Sequence, residues 1–195
     1  MTAVPPPWAD ALLRVVLKRG DRDRVSGDLL EQYRDSIEPS HGRGRANRWY
    51  VRQVFGYVWR DARVWAALFA AACIVRTALD WFDPPVDFSA RSSASTSVGV
   101  GILFLAGAWA AWRSGSFIAG TVAGVATALL AAFVSIAGAA LLLAVWHDPE
   151  TLAAIRGSGG LGEVFTMPVV MVLPGLLLGT IGGTVGAAIG RLRPS

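Results

Sequence analysis

Residues 117–146 form a run of 30 residues without one charged side chain. As an α-helix that run would be about 45 Å long, more than the ~30 Å apolar thickness of a bilayer. A chain of 195 residues has no soluble core able to absorb such a segment. Three further apolar stretches, at 64–82, 95–112 and 164–190, are long enough to join it. The composition agrees: mean hydropathy is +0.47 and only 16% of residues are charged, against about a quarter in soluble domains. The expected fold is all-α, a small cytosolic helical module (residues 1–62) followed by a four-helix transmembrane bundle (63–195). The second stretch is the shortest. Were it not to insert, the chain would carry three helices and its C-terminus would change sides.

The charges are lopsided. Residues 1–63 hold 12 of the 18 Lys and Arg and 8 of the 14 Asp and Glu. The positive-inside bias then orients the bundle. With both termini in the cytosol, the basic first third, Arg113, Arg191 and Arg193 are inside. The outer loops carry Arg91 and Arg156 against Asp80, Asp83, Asp87, Asp148, Glu150 and Glu163. A cleavable signal peptide is not expected, because the start lacks a basic n-region and the apolar stretch at 11–17 is interrupted by Arg14.

Within the first third, periodicity predicts three short helices. The first, 8–19, has Asp10, Arg14 and Lys18 on a polar face. The second, 22–38, carries Val25, Leu29, Tyr33 and Ile37 as one stripe at four-residue spacing, with Pro39 as its stop and 40–45 as a basic loop. The third starts near Ala46 and mixes Trp49, Tyr50, Val54, Phe55, Val58 and Trp59 with Arg48, Arg52, Arg60 and Arg63. That is the composition of a helix at the membrane interface, its arginines facing anionic lipid. It either bends at Gly56 or runs straight into the first span.

One pattern here is specific. Trp8, Leu12, Leu13 and Arg14 precede Gly27-Asp28-Leu29-Leu30-Glu31-Gln32-Tyr33-Arg34. Trp49, Tyr50, Arg52 and Gln53 follow on the approach to the membrane. This arrangement resembles the permease prefix domain of FtsX-like, macrolide-exporter-type bacterial ABC permeases. The resemblance covers roughly residues 8–60. It implies a membrane-proximal cytosolic module in a bacterial cytoplasmic membrane protein and brings no catalytic residue with it. Those permeases place a large extracytoplasmic domain after the first span, where this chain has only the Ser-rich segment 86–97. Asp28 and Glu31 are expected near several arginines, as salt bridges within the module or as a docking surface.

The last span carries two glycine series, Gly175, Gly179 and Gly183, and Gly182, Gly186 and Gly190. Small residues at such spacing let helix backbones approach closely in lipid. They suit packing between helices of one subunit or between copies of the chain. Pro168 and Pro174 would kink the same span. Arg76 lies inside the first span. An intramembrane charge marks a functional site by default, but Asp80 four residues on offers a local ion pair near the outer end.

No chemistry-bearing set assembles. His41 and His147 fall in loops on opposite sides and Cys73 is mid-span, so no metal site is expected. The glycines of 157–162 precede an apolar span without a following Lys-Ser/Thr, so no phosphate loop is expected. The expectation is a non-enzymatic, cofactor-free membrane protein whose module docks a partner or regulates a membrane complex. An accessory subunit of an ABC-type transport system is the alternative. Partners are anionic lipid at the cytosolic face, and a membrane protein or a second copy. Nucleic acid is not expected, because eight acids are interleaved among the twelve bases of the first third.

Overall fold

The computed structural model describes residues 4–157 and 160–192. Arg193, the first three residues and Ser158-Gly159 of the glycine-rich segment lie outside them. The described residues are helical throughout their ordered elements, with no strand. The elements are α1 (Pro7–Val16), α2 (Arg22–Gln32), α3 (Glu38–His41), α4 (Arg43–Phe82), α5 (Ser89–Ser114), α6 (Phe117–Val145), α7 (Pro149–Gly157), α8 (Gly160–Val170) and α9 (Val172–Arg191). Four helices are long and apolar enough to cross a membrane: α4, α5, α6 and the α8–α9 pair. The chain therefore has the makings of a multi-pass membrane protein, and its second stretch is among the four.

Helices α1 to α3 fold against the first half of α4 around a core of their own. Leu13, Leu17, Leu29, Tyr33, Tyr50 and Val54 are buried there, with Leu12, Val25, Ile37 and Trp49 packed against them. The four-residue stripe on α2 thus faces α1 and α4, as helix periodicity requires. Tyr50, Val54 and Val58 are buried in protein, while Phe55 and Trp59 remain exposed. The aromatic segment expected to lie along the membrane interface therefore spends one face on the module.

Several boundaries differ from the expectations. The second helix does not stop at Pro39. It passes through a π-helical turn at Tyr33–Ile37, and Pro39 sits in the first turn of α3. In the wide turn the Glu38 N–H bonds the Tyr33 carbonyl, five residues back, and Pro39 follows at the start of α3, where a missing donor is tolerated. The break comes at Gly42, whose φ of +75° is left-handed and suits glycine. Residues 40–45 are accordingly the end of one helix and the start of another rather than a loop. From Arg43 to Phe82 the helix is continuous through Gly56, a rod of about 60 Å at 1.5 Å per residue.

The Ser-rich segment is also helical. Helix α5 begins at Ser89 rather than in the mid-nineties. Its serine hydroxyls donate back to the helix, Ser95 to the Ser92 carbonyl (3.0 Å) and Ser97 to the Ser93 carbonyl (2.9 Å). The polar stretch thereby satisfies itself locally. The fourth span is broken at Met171, between Pro168 and Pro174. Two missing backbone donors three residues to either side explain the break.

In the bundle α9 lies against α5 and α6, and α4 packs on α6 and α5. One end holds the module, the α5–α6 turn and the end of α9. The other holds the α4–α5 link and α7.

Candidate functional site

The two glycine series of α9 serve two neighbours. Gly175, Gly179 and Gly183 lie on α6, against Gly124, Gly120 and the Phe117 carbonyl. Gly182, Gly186 and Gly190 lie on α5, against Phe104, Ala108 and Trp112. A Cβ at Gly179 would come within 2.8 Å of the Gly120 carbonyl oxygen, and one at Gly107 within 2.5 Å of the Gly179 carbonyl oxygen. Both are backbone atoms of packed helices and cannot step aside. The hydroxyls of Thr121 and Thr180 add a 2.9 Å hydrogen bond between α6 and α9. The packing surface is used inside one chain.

The residues of the prefix-like pattern divide into two sets. Leu29, Tyr33 and Tyr50 are buried in the module core, and Trp49 and Gln53 are half-buried. The rings of Tyr33 and Tyr50 meet edge to face at 5.9 Å. Tyr33 donates to Asn47 Oδ1 (2.6 Å) and Tyr50 donates to Asp10 Oδ1 (2.8 Å), so both buried phenols are satisfied. Burial, and then the Asp10 carboxylate, push the Tyr50 phenol well above the usual tyrosine range. Gly27, Asp28, Glu31, Arg34 and Arg52 are exposed. The ion pairs of the module among the described residues are Arg14–Asp10 and Arg24–Asp21. Asp28, Glu31 and the neighbouring Asp35 stand outside these pairs; with Arg24 and Arg34 exposed beside them, the outer face of α2 and its π-turn is net acidic.

The module is clamped to the bundle. Arg113, at the end of α5, donates to Asp61 of α4 (3.0 Å), both side chains being mostly buried. Arg22, at the start of α2, reaches the Ser114 carbonyl (3.3 Å). That carbonyl belongs to the last turn of α5, where the helix dipole favours a cation. Gly115 closes the turn at φ +73°, and a Cβ there would strike the Arg19 guanidinium. A polar cavity of about 420 Å³ remains between module and bundle, lined in part by Lys18, Arg60 and Arg113. Sequence reasoning found these charges but not their convergence.

At the opposite end, Arg76 reaches Asp80 (3.4 Å), as its four-residue spacing allows. The cluster is larger than that pair. Arg91 of α5 reaches Asp80 (3.2 Å) and also the Asp83 carbonyl (2.9 Å). Arg76 comes within 3.9 Å of Glu163 on α8. Asp80, 6% exposed, is thus held between two guanidinium groups, the arrangement a buried carboxylate needs. Below this cluster an apolar cleft of about 180 Å³ opens between α4, α5 and the broken fourth span, lined by Phe69, Leu103, Met167 and Met171 among others. Cys73 lies on the same cleft, and the two histidines do not. Among the described residues no group of His, Cys, Asp and Glu is placed to hold a metal ion.

No protein-family model matches the chain, and comparison with curated proteins and with solved structures finds no match.

Proposed function

We propose that this chain is a non-enzymatic, multi-pass protein of the bacterial cytoplasmic membrane, with both termini cytosolic, whose helical module docks a protein partner and couples it to the bundle. The observation that carries the reading is the division of residues along α2 and the π-helical turn after it. Leu29 and Tyr33 build the core, while Asp28, Glu31 and Asp35 are exposed and outnumber the exposed Arg24 and Arg34. A module that served only as a lead-in to the first span would not need a core of its own. The acidic face fits a partner with a basic surface, which complementary charge would steer and orient. Helix α4 and the Asp61–Arg113 and Arg22–Ser114 contacts would pass the docking event to the spans. The resemblance to the permease prefix domain supports the same reading and points to a membrane complex as the thing regulated.

Co-purification after cross-linking and gentle detergent extraction tests this. The wild-type chain should bring down a partner that D28K/E31K does not, and a chimera of the module on a foreign anchor should still bring it down. Recovery of the wild-type chain alone would refute the reading.

A second reading, an accessory subunit of an ABC-type transport system, is favoured by the cleft beside the broken fourth span. It predicts that the foreign-anchor chimera loses activity of the complex even when the partner is retained.

A further inference from the structure

The cavity between module and bundle holds more positive charge than its own acids neutralise. Its walls bring together Lys18 from the link after α1, Asp21, Arg60 and Asp61 of α4, and Arg113 of α5, beside the Tyr57 ring. Both acids are already engaged, Asp61 by Arg113 (3.0 Å) and Asp21 by Arg24 (3.3 Å). Lys18 has no ion pair among the described residues. The Arg60 guanidinium rests on the face of Tyr57, 4.9 Å from its centroid, and has no ion pair among the described residues. Arg22, the residue after the cavity-lining Asp21, has its Nε buried without a hydrogen-bond partner. Lys18 and Arg60, both exposed and without an ion pair among the described residues, thus face one polar, solvent-open space of about 420 Å³, far more than the ~10–15 Å³ of such space that one water needs.

The level of this cavity in the molecule narrows what fills it. Arg60 and Asp61 sit on α4 within a turn of Val64, where the apolar run of the first span begins. Arg113 marks the end of α5 on the same side. Trp59, beside Arg60, is 52% exposed, as expected of an aromatic at headgroup depth. In a bilayer crossed by the four apolar helices, that level is where a leaflet would present its phosphates.

We propose that the module–bundle cavity is a binding site for the phosphate of an anionic phospholipid in the leaflet on the module side, with Lys18 and Arg60 as its ligands. The site rests on the membrane reading given above but not on the protein partner. Lys18 supplies a point charge and Arg60 a planar fork of donors, the pairing that phosphate oxygens accept. A lipid held there would touch α1, α4 and α5 at once and so would tighten the module onto the bundle.

The test is native mass spectrometry of the detergent-purified full chain, titrated in separate arms with phosphatidylglycerol, phosphatidylcholine and inorganic phosphate. Phosphatidylglycerol should be retained by the wild type at least tenfold better than phosphatidylcholine. At about 1 kcal/mol per basic residue, K18Q/R60Q should lose on the order of thirtyfold in phosphatidylglycerol retention. K18R/R60K should keep most of it, and R156Q at the far end should match the wild type. Helical circular dichroism and the unfolding midpoint of each variant exclude misfolding as the cause. Equal retention of the two lipids, or of phosphatidylglycerol by wild type and K18Q/R60Q, would overturn the proposal. Displacement of bound phosphatidylglycerol by equimolar inorganic phosphate would assign the site to a soluble anion and overturn the lipid source. Partner capture plays no part in the readout, so failure here and failure of the docking reading are separable.

Discussion

Asp61 and Arg113 lie 3.0 Å apart although 52 residues separate them. One sits on the helix that leaves the module, the other in the last turn of α5. The pair is mostly buried, so solvent screens it less than a surface ion pair. A double-mutant cycle with D61N and R113Q should return a coupling of about 1 kcal/mol in detergent unfolding. Amide exchange at 113–116 should quicken in either single variant. Strict additivity would contradict the clamp.

The module core predicts a second effect. Y50F removes the bond to Asp10 from a fully buried site and should cost about 1 kcal/mol of module stability. The sign with pH follows from the direction of the Tyr50 shift, since its phenol is held above the ordinary tyrosine range. Its contribution is complete below the unfolded tyrosine pKa and is lost as pH rises through the folded value. Ultraviolet difference titration should show one fewer late-ionising tyrosine in Y50F than in the wild type, burial keeping the Tyr33 phenol raised in both.

The glycine faces predict a contrast within one residue type. G179A places a Cβ 2.8 Å from the Gly120 carbonyl oxygen, and G186A meets the Ala108 backbone. Each should destabilise the bundle by about 1–3 kcal/mol through overpacking. G101A, with nothing within 4 Å, should be neutral or slightly stabilising. If the α9 glycines mainly joined copies of the chain, G179A would shift the oligomeric state and leave the unfolding midpoint in place.

The outer cluster predicts an order of severity. D80A leaves Arg76 and Arg91 without the carboxylate they share and should cost about 3 kcal/mol. E163Q removes only a 3.9 Å contact on a half-exposed side chain and should cost under about 1 kcal/mol. Thermal unfolding in one detergent ranks them, and equal losses would contradict the central place of Asp80.

What the sequence reveals here depends on the range over which each signal acts. The stripe Val25, Leu29, Tyr33 and Ile37 and the glycine spacings of α9 are periodic, and a periodic pattern names a helix face without a partner in view. The helix over Ser89–Ser97 leaves no such trace, because its serines satisfy themselves through their own backbone. Pro39 misleads for a related reason. A proline is tolerated in a first helical turn, and Pro39 starts α3 directly after the π-turn at Tyr33–Ile37. Asp61–Arg113, Arg22–Ser114 and Arg76–Glu163 join segments far apart in the chain. The charged members are visible in the sequence, but which groups they meet, the Ser114 carbonyl included, is decided only once the helices are packed, so the junction cavity and the full outer cluster are properties of the fold.

The central claim is an arrangement in which the module, the α5–α6 turn and the end of α9 share the cytosolic side of a four-span protein. Cys73 is the chain's one cysteine, so a C73S background takes single cysteines cleanly. A membrane-impermeant maleimide applied to intact cells should label Val86→Cys in the α4–α5 link. It should leave Ser40→Cys in the module and Leu192→Cys after α9 unlabelled until the cells are lysed. Labelling of Ser40→Cys from outside, or of Val86→Cys and Leu192→Cys alike, would contradict it.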